Sequence, residues 1–500
     1  MLKLAEIFQN NRVIQRNKPI QVWGTGTPGT IVTVSLFTAT ADTMVCADGS
    51  WKIALQPLCA GAGYTLVASD TAESIVIQNV AVGEVWLAGG QSNMELALKD
   101  SENGIKISEE YSGKNIRFYQ VPKCSMLNEN QKEQEENSTW QIADNRNVGE
   151  MSAIAFYFAN RLSETLHCIV GIVDCYWGGS SITCWMSREQ LAKLESGKNY
   201  LEEYTALVGE KSSQQYTKEM EEYNCAYQHW LKSTEEVKQK DPQASWKEIH
   251  KICGECPWPQ PVGWQSPFRP NGLHETMIRR IAPYSLRGFL YYQGEEDVQR
   301  YADYSDMMLM LVKQWRMDWN DWNLPFLFVQ LPMYLADGEK DDSCWALQRE
   351  QQYIASMMIQ NTGMISLADC GEYDNIHPLD KKTPGERLFQ LAKNLVHNRQ
   401  GTITATAAQL FSDNGKLYVT FNHLHEKLVM QTAASCPFEI SGEDDIFYPA
   451  KADVIHGNML CISNSEVKFP SAVKYAWYNF GEAVLFTESG NPVSPFFKSV

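Results

Sequence analysis

From Pro19 to about Val80 the apolar and polar positions alternate in short runs. IQVWGTGTPG, TIVTVSLF, DGSWKIALQ and YTLVASD are each rich in β-branched or aromatic residues and bounded by Gly, Pro or Asp. A period of two with such bounds marks half-buried strands, so residues 1–80 read as a β-sandwich-like module. Near residue 81 the rhythm changes. VWLA (85–88), IVGIVD (169–174), FLYY (289–292), FLFVQL (326–331) and GMISLAD (363–369) are apolar throughout, as strands covered on both faces are. Between them SAIAFYFANRLSETL, DMMLMLVKQW and WALQREQQYIASMM carry helical spacing. Strand–helix alternation predicts βαβ units around a parallel sheet sandwiched by helices, assigned to residues 81–400. One stretch, about 189–265, breaks the pattern. It is rich in Glu, Lys, Gln and Tyr and runs into CPWPQPVGWQSPFRP, which predicts a helical insertion followed by a Pro/Trp loop. After residue 400 alternation returns in TITATAAQLF, KLYVTFNH and EAVLFTES, giving a β-rich module over 401–500. The fold class expected is α/β with β-rich flanks.

Composition narrows the function classes. The chain has 500 residues, with 43 Lys and Arg against 60 Asp and Glu, a formal net charge of −17. A nucleic-acid reader needs a basic face, so that class is set aside. No apolar run reaches the roughly 18 residues of a membrane span, and the nearest, PFLFVQLPMYLA from Pro325, contains a Gln. Thirteen cysteines, an odd number scattered from Cys46 to Cys461, are read as mostly free thiols of a reducing compartment. The single C-x-x-C, Cys253–Cys256, has no second pair nearby and is read as two loop thiols rather than a metal or redox site. MLKLAEIFQNNRVIQR lacks the apolar core of a secretory leader. As written the chain is expected in the cytoplasm, and in the periplasm or outside the cell if a leader was trimmed.

Four segments follow predicted strands, at the carboxyl edge where open α/β sheets bind ligands. Gly89-Gly90-Gln91-Ser92-Asn93-Met94 follows VWLA and holds a serine on a tight glycine turn. Trp177-Gly178-Gly179-Ser180-Ser181 follows IVGIVDCY, and its consecutive glycines expose N–H groups of the kind an oxyanion hole uses. Tyr291-Tyr292-Gln293-Gly294-Glu295-Glu296-Asp297 offers the Gln293 amide as a neutral donor. Its acidic triplet points in different directions, which disfavours a metal site. Asp374-Asn375-Ile376-His377-Pro378 places an acid three residues before one of only nine histidines, so one loop can supply two members of a Ser-His-Asp set. Asp380 is the better candidate for capping the helix that follows.

Order and placement of these blocks resemble the four sequence blocks of the SGNH (GDSL-like) hydrolases. GQSNM, WGGSSITCWM, YYQGEE and DNIHP are most similar to those of the sialate O-acetylesterase family of carbohydrate esterases. IFQNNRVIQRNKPIQVWGTGTPGTIVTV, RPNGLHETMIRRIAPYSLRGFLYYQGEEDV and AVKYAWYNFGEAVLFTESGNPVSPFF extend the resemblance over nearly the whole chain, with 189–265 the poorest match. The resemblance implies Ser92 as nucleophile, His377 as general base and acid, and Asp374 as the orienting acid. A Ser-His dyad aided by a backbone carbonyl is the alternative. The implied oxyanion hole combines the Ser92 N–H, an N–H from Gly178 or Gly179, and the Gln293 side chain. Many relatives read Gln-Gly-Glu-Ser-Asn where this chain has Gln293-Gly294-Glu295-Glu296-Asp297, and Asp297 is read as supporting the site from behind. The implied activity is removal of acetyl groups from an acetylated mono- or oligosaccharide, sialic acid first and acetylxylan or another plant glycan second, without metal or cofactor. A non-catalytic carbohydrate-binding protein on the same fold is the rival from another class. Oligomeric state is not legible.

Overall fold

Seventeen consecutive residues, Ser74–Gly90, form a single strand (β1) that belongs to two layers of the molecule at once. Up to Asn79 its residues are mostly exposed, and from Val80 onward all are buried. The first half pairs antiparallel with Gly61–Ser69 in the N-terminal sheet. The second half is the middle of a parallel sheet. Asn79 sits between them with φ 53°, and its carbonyl is held by Arg117 Nη1 at 2.6 Å. The computed structural model describes residues 1–113, 115–209, 211–241, 244, 246–398, 401 and 403–500.

The parallel sheet runs in the order β2 (Ile116–Gln120), β3 (Val170–Tyr176), β1, β4 (Gly288–Tyr292), β5 (Phe326–Gln330), β6 (Thr362–Ser366), every neighbouring pair parallel. Gln141–Ile142 adds a short antiparallel edge beside β2. Because strand side chains alternate faces, β1 feeds two cores. Val85 and Leu87 pack into one layer with Leu311 and Trp315. Trp86 and Ala88 pack into the other with Ile154 and Phe158. Six helices matter to the site and its cover: α1 (Ser92–Glu95), α2 (Ala153–Leu166), α3 (Ser213–Lys240), α4 (Tyr304–Asp318), α5 (Cys344–Met358) and α6 (Lys382–Ala392). The Ser152 hydroxyl caps α2 by accepting from the Ala155 N–H, and an apolar face from Ala153 to Leu162 is buried behind it.

The 189–265 stretch contains the helices Glu195–Gly209, α3 and Trp246–Cys253, then the loop that carries Trp258. At the C-terminal end two four-stranded sheets and a two-stranded ribbon lie over residues 406–499. The division expected at 80/81 falls inside β1, and the one near 400 falls at residues 399, 400 and 402, outside the described residues. All thirteen cysteines are free. Among the described residues no helix is long and apolar enough to cross a membrane, and no group of three His, Cys, Asp or Glu side chains is arranged to hold a metal ion.

Candidate active site

Strand β1 delivers Ser92 to the carboxyl edge of the sheet. Gly90 turns the chain with φ 131°, and a Cβ there would lie 2.0 Å from the Tyr292 carbonyl oxygen of β4, so only glycine fits. The Gln91 N–H donates to that same carbonyl, and Ser92 opens α1. Across the edge, the loop between β6 and α6 brings in His377, whose Nε2 lies 2.8 Å from Ser92 Oγ. Asp380 Oδ1 accepts the Thr383 N–H at the start of α6, the capping duty expected of it.

The His377 side chain is half-buried. Burial, reinforced by the neighbouring Lys381 charge, pushes its pKa down to about 4. At neutral pH it is therefore uncharged and able to take a proton. Lys381 is itself buried, with Nζ donating to Asn93 Oδ1 (2.7 Å) and to the Pro378 carbonyl (2.6 Å). Asn93 Nδ2 in turn donates to Glu295 Oε1 (2.5 Å) and to the Ile376 carbonyl (2.9 Å). Asn93, next to Ser92, and Lys381 thus grip the histidine loop on both sides of His377.

Three expected roles differ from what the geometry shows. Asp374 does not reach the histidine: its carboxylate accepts the Asp337 N–H at 2.8 Å, and among the described residues no hydrogen bond joins it to His377. Gln293 is buried, and its Nε2 faces Asp297 Oδ2 (2.6 Å), the Ser180 carbonyl (3.1 Å) and Gln91 Oε1 (3.2 Å). An amide nitrogen has two hydrogens, so no donor is left for a substrate oxyanion. The Gly178 N–H is taken by Glu95 Oε2 at 2.6 Å, while the other oxygen of Glu95 pairs with Lys123. Gly178 still lies close to Ser92, since a Cβ on it would be 3.2 Å from Ser92 Cβ. Gly179, with φ 72°, and Ser92 have no hydrogen bond recorded at their backbone N–H groups among the described residues.

Residues 261–394, which include Gln293, Asp374 and His377, match the family model described as carbohydrate esterase, sialic acid-specific acetylesterase. The sialate O-acetylesterase of Mus musculus is 25% identical over the whole of this chain and 94% of its own length. That of Homo sapiens is 23% identical over 95% of this chain and 87% of its own. The crystal structure of a carbohydrate acetylesterase from Xanthomonas citri superimposes with a TM-score of 0.77 at 26% identity, covering both chains completely. In sequence and in fold this chain is similar to those carbohydrate esterases.

Asp297 explains the fate of Gln293. Its buried carboxylate accepts from Ser181 Oγ (2.6 Å), the Ile182 N–H (2.8 Å), Gln293 Nε2 (2.6 Å) and Tyr200 OH (3.1 Å). Burial pushes its pKa up, and these four donors oppose that shift. An acceptor-only group at this position collects the amide donors that would otherwise be free. Sequence reasoning also missed Glu95, Lys381 and Asn93. Asn93 and Glu95 stand within three residues of Ser92 and Lys381 four after His377, spacings that put side chains back beside the residue they flank, so proximity was the available signal.

Proposed function

We propose that this protein is a serine esterase that removes O-acetyl groups from acetylated sugars. The mouse and human relatives, sialate O-acetylesterases by name, point to acetylated sialic acid as the substrate. The observation that carries the reading is the 2.8 Å contact between Ser92 Oγ and a half-buried His377 whose pKa is held down to about 4. His377 Nε2 takes the hydroxyl proton as Ser92 Oγ attacks the acetyl carbonyl. The tetrahedral oxyanion is met by the N–H groups of Ser92 and Gly179, which have no acceptor among the described residues. Collapse breaks the bond from the acetyl carbon to the sugar oxygen, which takes the proton from His377 to become a hydroxyl, and leaves an acetyl-serine. Water, deprotonated by the same nitrogen, then attacks the acetyl carbon, and acetate leaves as the bond to Ser92 Oγ breaks and His377 returns the proton to that oxygen. Each step uses side chains, backbone and water alone.

The second reading, a neutral acetylated glycan such as acetylxylan, is favoured by the pairing of Lys123 with Glu95, which spends a cation that a sialic acid carboxylate would seek. Acetate release from matched acetylated sialosides and xylo-oligosaccharides separates the two. Ser92→Ala is expected to lower acetate release at least about ten-thousand-fold while the thermal unfolding transition stays in place. Undiminished release by that variant would remove the serine mechanism, and glycan binding without turnover of any acetyl ester by the wild type would leave only a binding protein.

A further inference from the structure

The loop that closes the 189–265 insertion reaches the nucleophile's own neighbourhood through one side chain. Trp258 lies against Gly179, where a Cβ would sit 2.1 Å from its Cη2 and 2.4 Å from its Cζ2. The preceding glycine is the one whose Cβ would be 3.2 Å from Ser92 Cβ. The indole is therefore seated on the turn that borders the serine, and Gly179 is required there both by its φ of 72° and by the ring on top of it. Phe268 braces the indole edge-on, with centroids 5.4 Å apart at 71°, and Trp177 stands edge-on to Phe268 at 6.4 Å and 75°. Despite this bracing Trp258 remains 45% exposed. A large aromatic fixed by its neighbours yet left open beside a reactive group is a preorganised contact surface rather than core.

Charge does not take this role. Lys123, 5.9 Å from the Trp177 ring centroid, is already paired with Glu95. Recognition on this wall falls to an apolar face, and the apolar surface of an acetylated sugar is the C–H face of its ring. We propose that Trp258 is the sugar-stacking residue of the site: its indole receives the pyranose ring whose acetyl group lies over Ser92. The insertion then supplies a wall of the substrate site, and the substrate class is an acetyl ester borne on a sugar ring rather than a simple alkyl acetate. The inference rests on the esterase reading above.

The test compares kcat and KM for an acetylated sialoside, an acetylated xylobiose and p-nitrophenyl acetate in the wild type, Trp258→Ala, Trp258→Leu and Trp258→Phe. Trp322→Ala, an exposed tryptophan beyond α4, is the control. Removing the ring is expected to raise KM for whichever acetylated sugar is turned over by about tenfold, with kcat changed less than about threefold. The ratio of kcat/KM between that sugar and p-nitrophenyl acetate should fall at least about fivefold. Trp258→Phe should recover most of the ratio, and Trp322→Ala should leave it where it was. Trp258→Leu keeps apolar bulk against Gly179 without the flat face, so it carries the same expectation if the alanine variant fails to fold. An unchanged KM for the sugar, a fall in kcat alone, or an equal loss on p-nitrophenyl acetate would overturn the stacking role. Failure of the esterase reading looks different, because the wild type itself would then release no acetate.

Discussion

A histidine that takes a proton from serine must be uncharged when the substrate arrives. Burial does this for His377, holding its pKa at about 4 instead of the usual 6.5. The base form is lost only below that value, so kcat/KM for a neutral ester is expected to climb with pH up to about 4 and to be level from there through neutrality. A pH–rate profile whose acid limb is centred near 6.5 would place the imidazole in contact with water. The neighbouring acid is open to a sharper check. With its carboxylate turned to the Asp337 N–H, Asp374→Asn is expected to lower kcat/KM by less than about tenfold, against about ten-thousand-fold for His377→Ala. Comparable losses for the two variants would mean that Asp374 swings to the histidine during turnover. The pairing of Ser92 with His377 was legible in the sequence because a glycine-turn serine and one of only nine histidines stood after apolar runs, in blocks that resemble those of a known esterase family. The aim of a carboxylate was not, since a left-handed backbone at Asp374 (φ 58°) decides it and leaves no mark on spacing.

Among the elements, the parallel strands were the most legible part, because burial on both faces forces uninterrupted apolar runs. Less legible were the struts between strand ends. Asp297 joins the turn after β3 at Ser181 and Ile182, the end of β4 at Gln293, and Tyr200 on the insertion helix Glu195–Gly209. A departure from the relatives' pattern that sequence reading placed behind the site is in the structure a knot of four donors on one carboxylate. Asp297→Asn would turn a donor toward groups that are themselves donors, and is expected to cost about 2–4 kcal/mol in denaturant unfolding. A midpoint unchanged from the wild type would show that the four partners find other acceptors. The helical insertion was visible from its composition. Its reach to Gly179 was not, because a single Trp in a proline-rich loop has no periodicity to announce a long-range contact.

At the scale of the whole molecule the N-terminal module and the parallel sheet share covalent structure. Val13–Gln15 runs parallel to β1 from Ala81 to Gly83, and the buried Glu84 of β1 accepts from Arg16 on one side (2.7 Å) and Arg287 on the other (3.0 Å). A fragment starting at residue 81 would cut β1, leave Ala81–Gly83 without Val13–Gln15 and strand the Glu84 carboxylate with one partner fewer. It is expected not to unfold cooperatively, as calorimetry or circular dichroism would report. A soluble 81–500 fragment with a sharp transition would show that the sheet stands alone.

The length of β1 also bears on the order in which the enzyme comes into being. Synthesis proceeds from the N-terminus, so Ser74–Gly90 emerges when its hairpin partner Gly61–Ser69 already exists. The strands that will flank it in the parallel sheet, Val170–Tyr176 and Gly288–Tyr292, have yet to be made. Local pairing closes first because it costs the least chain entropy, and parallel neighbours close late. The strand that leads to Ser92 is therefore expected to be set in register by its antiparallel half, with the rest of the parallel sheet assembling onto it.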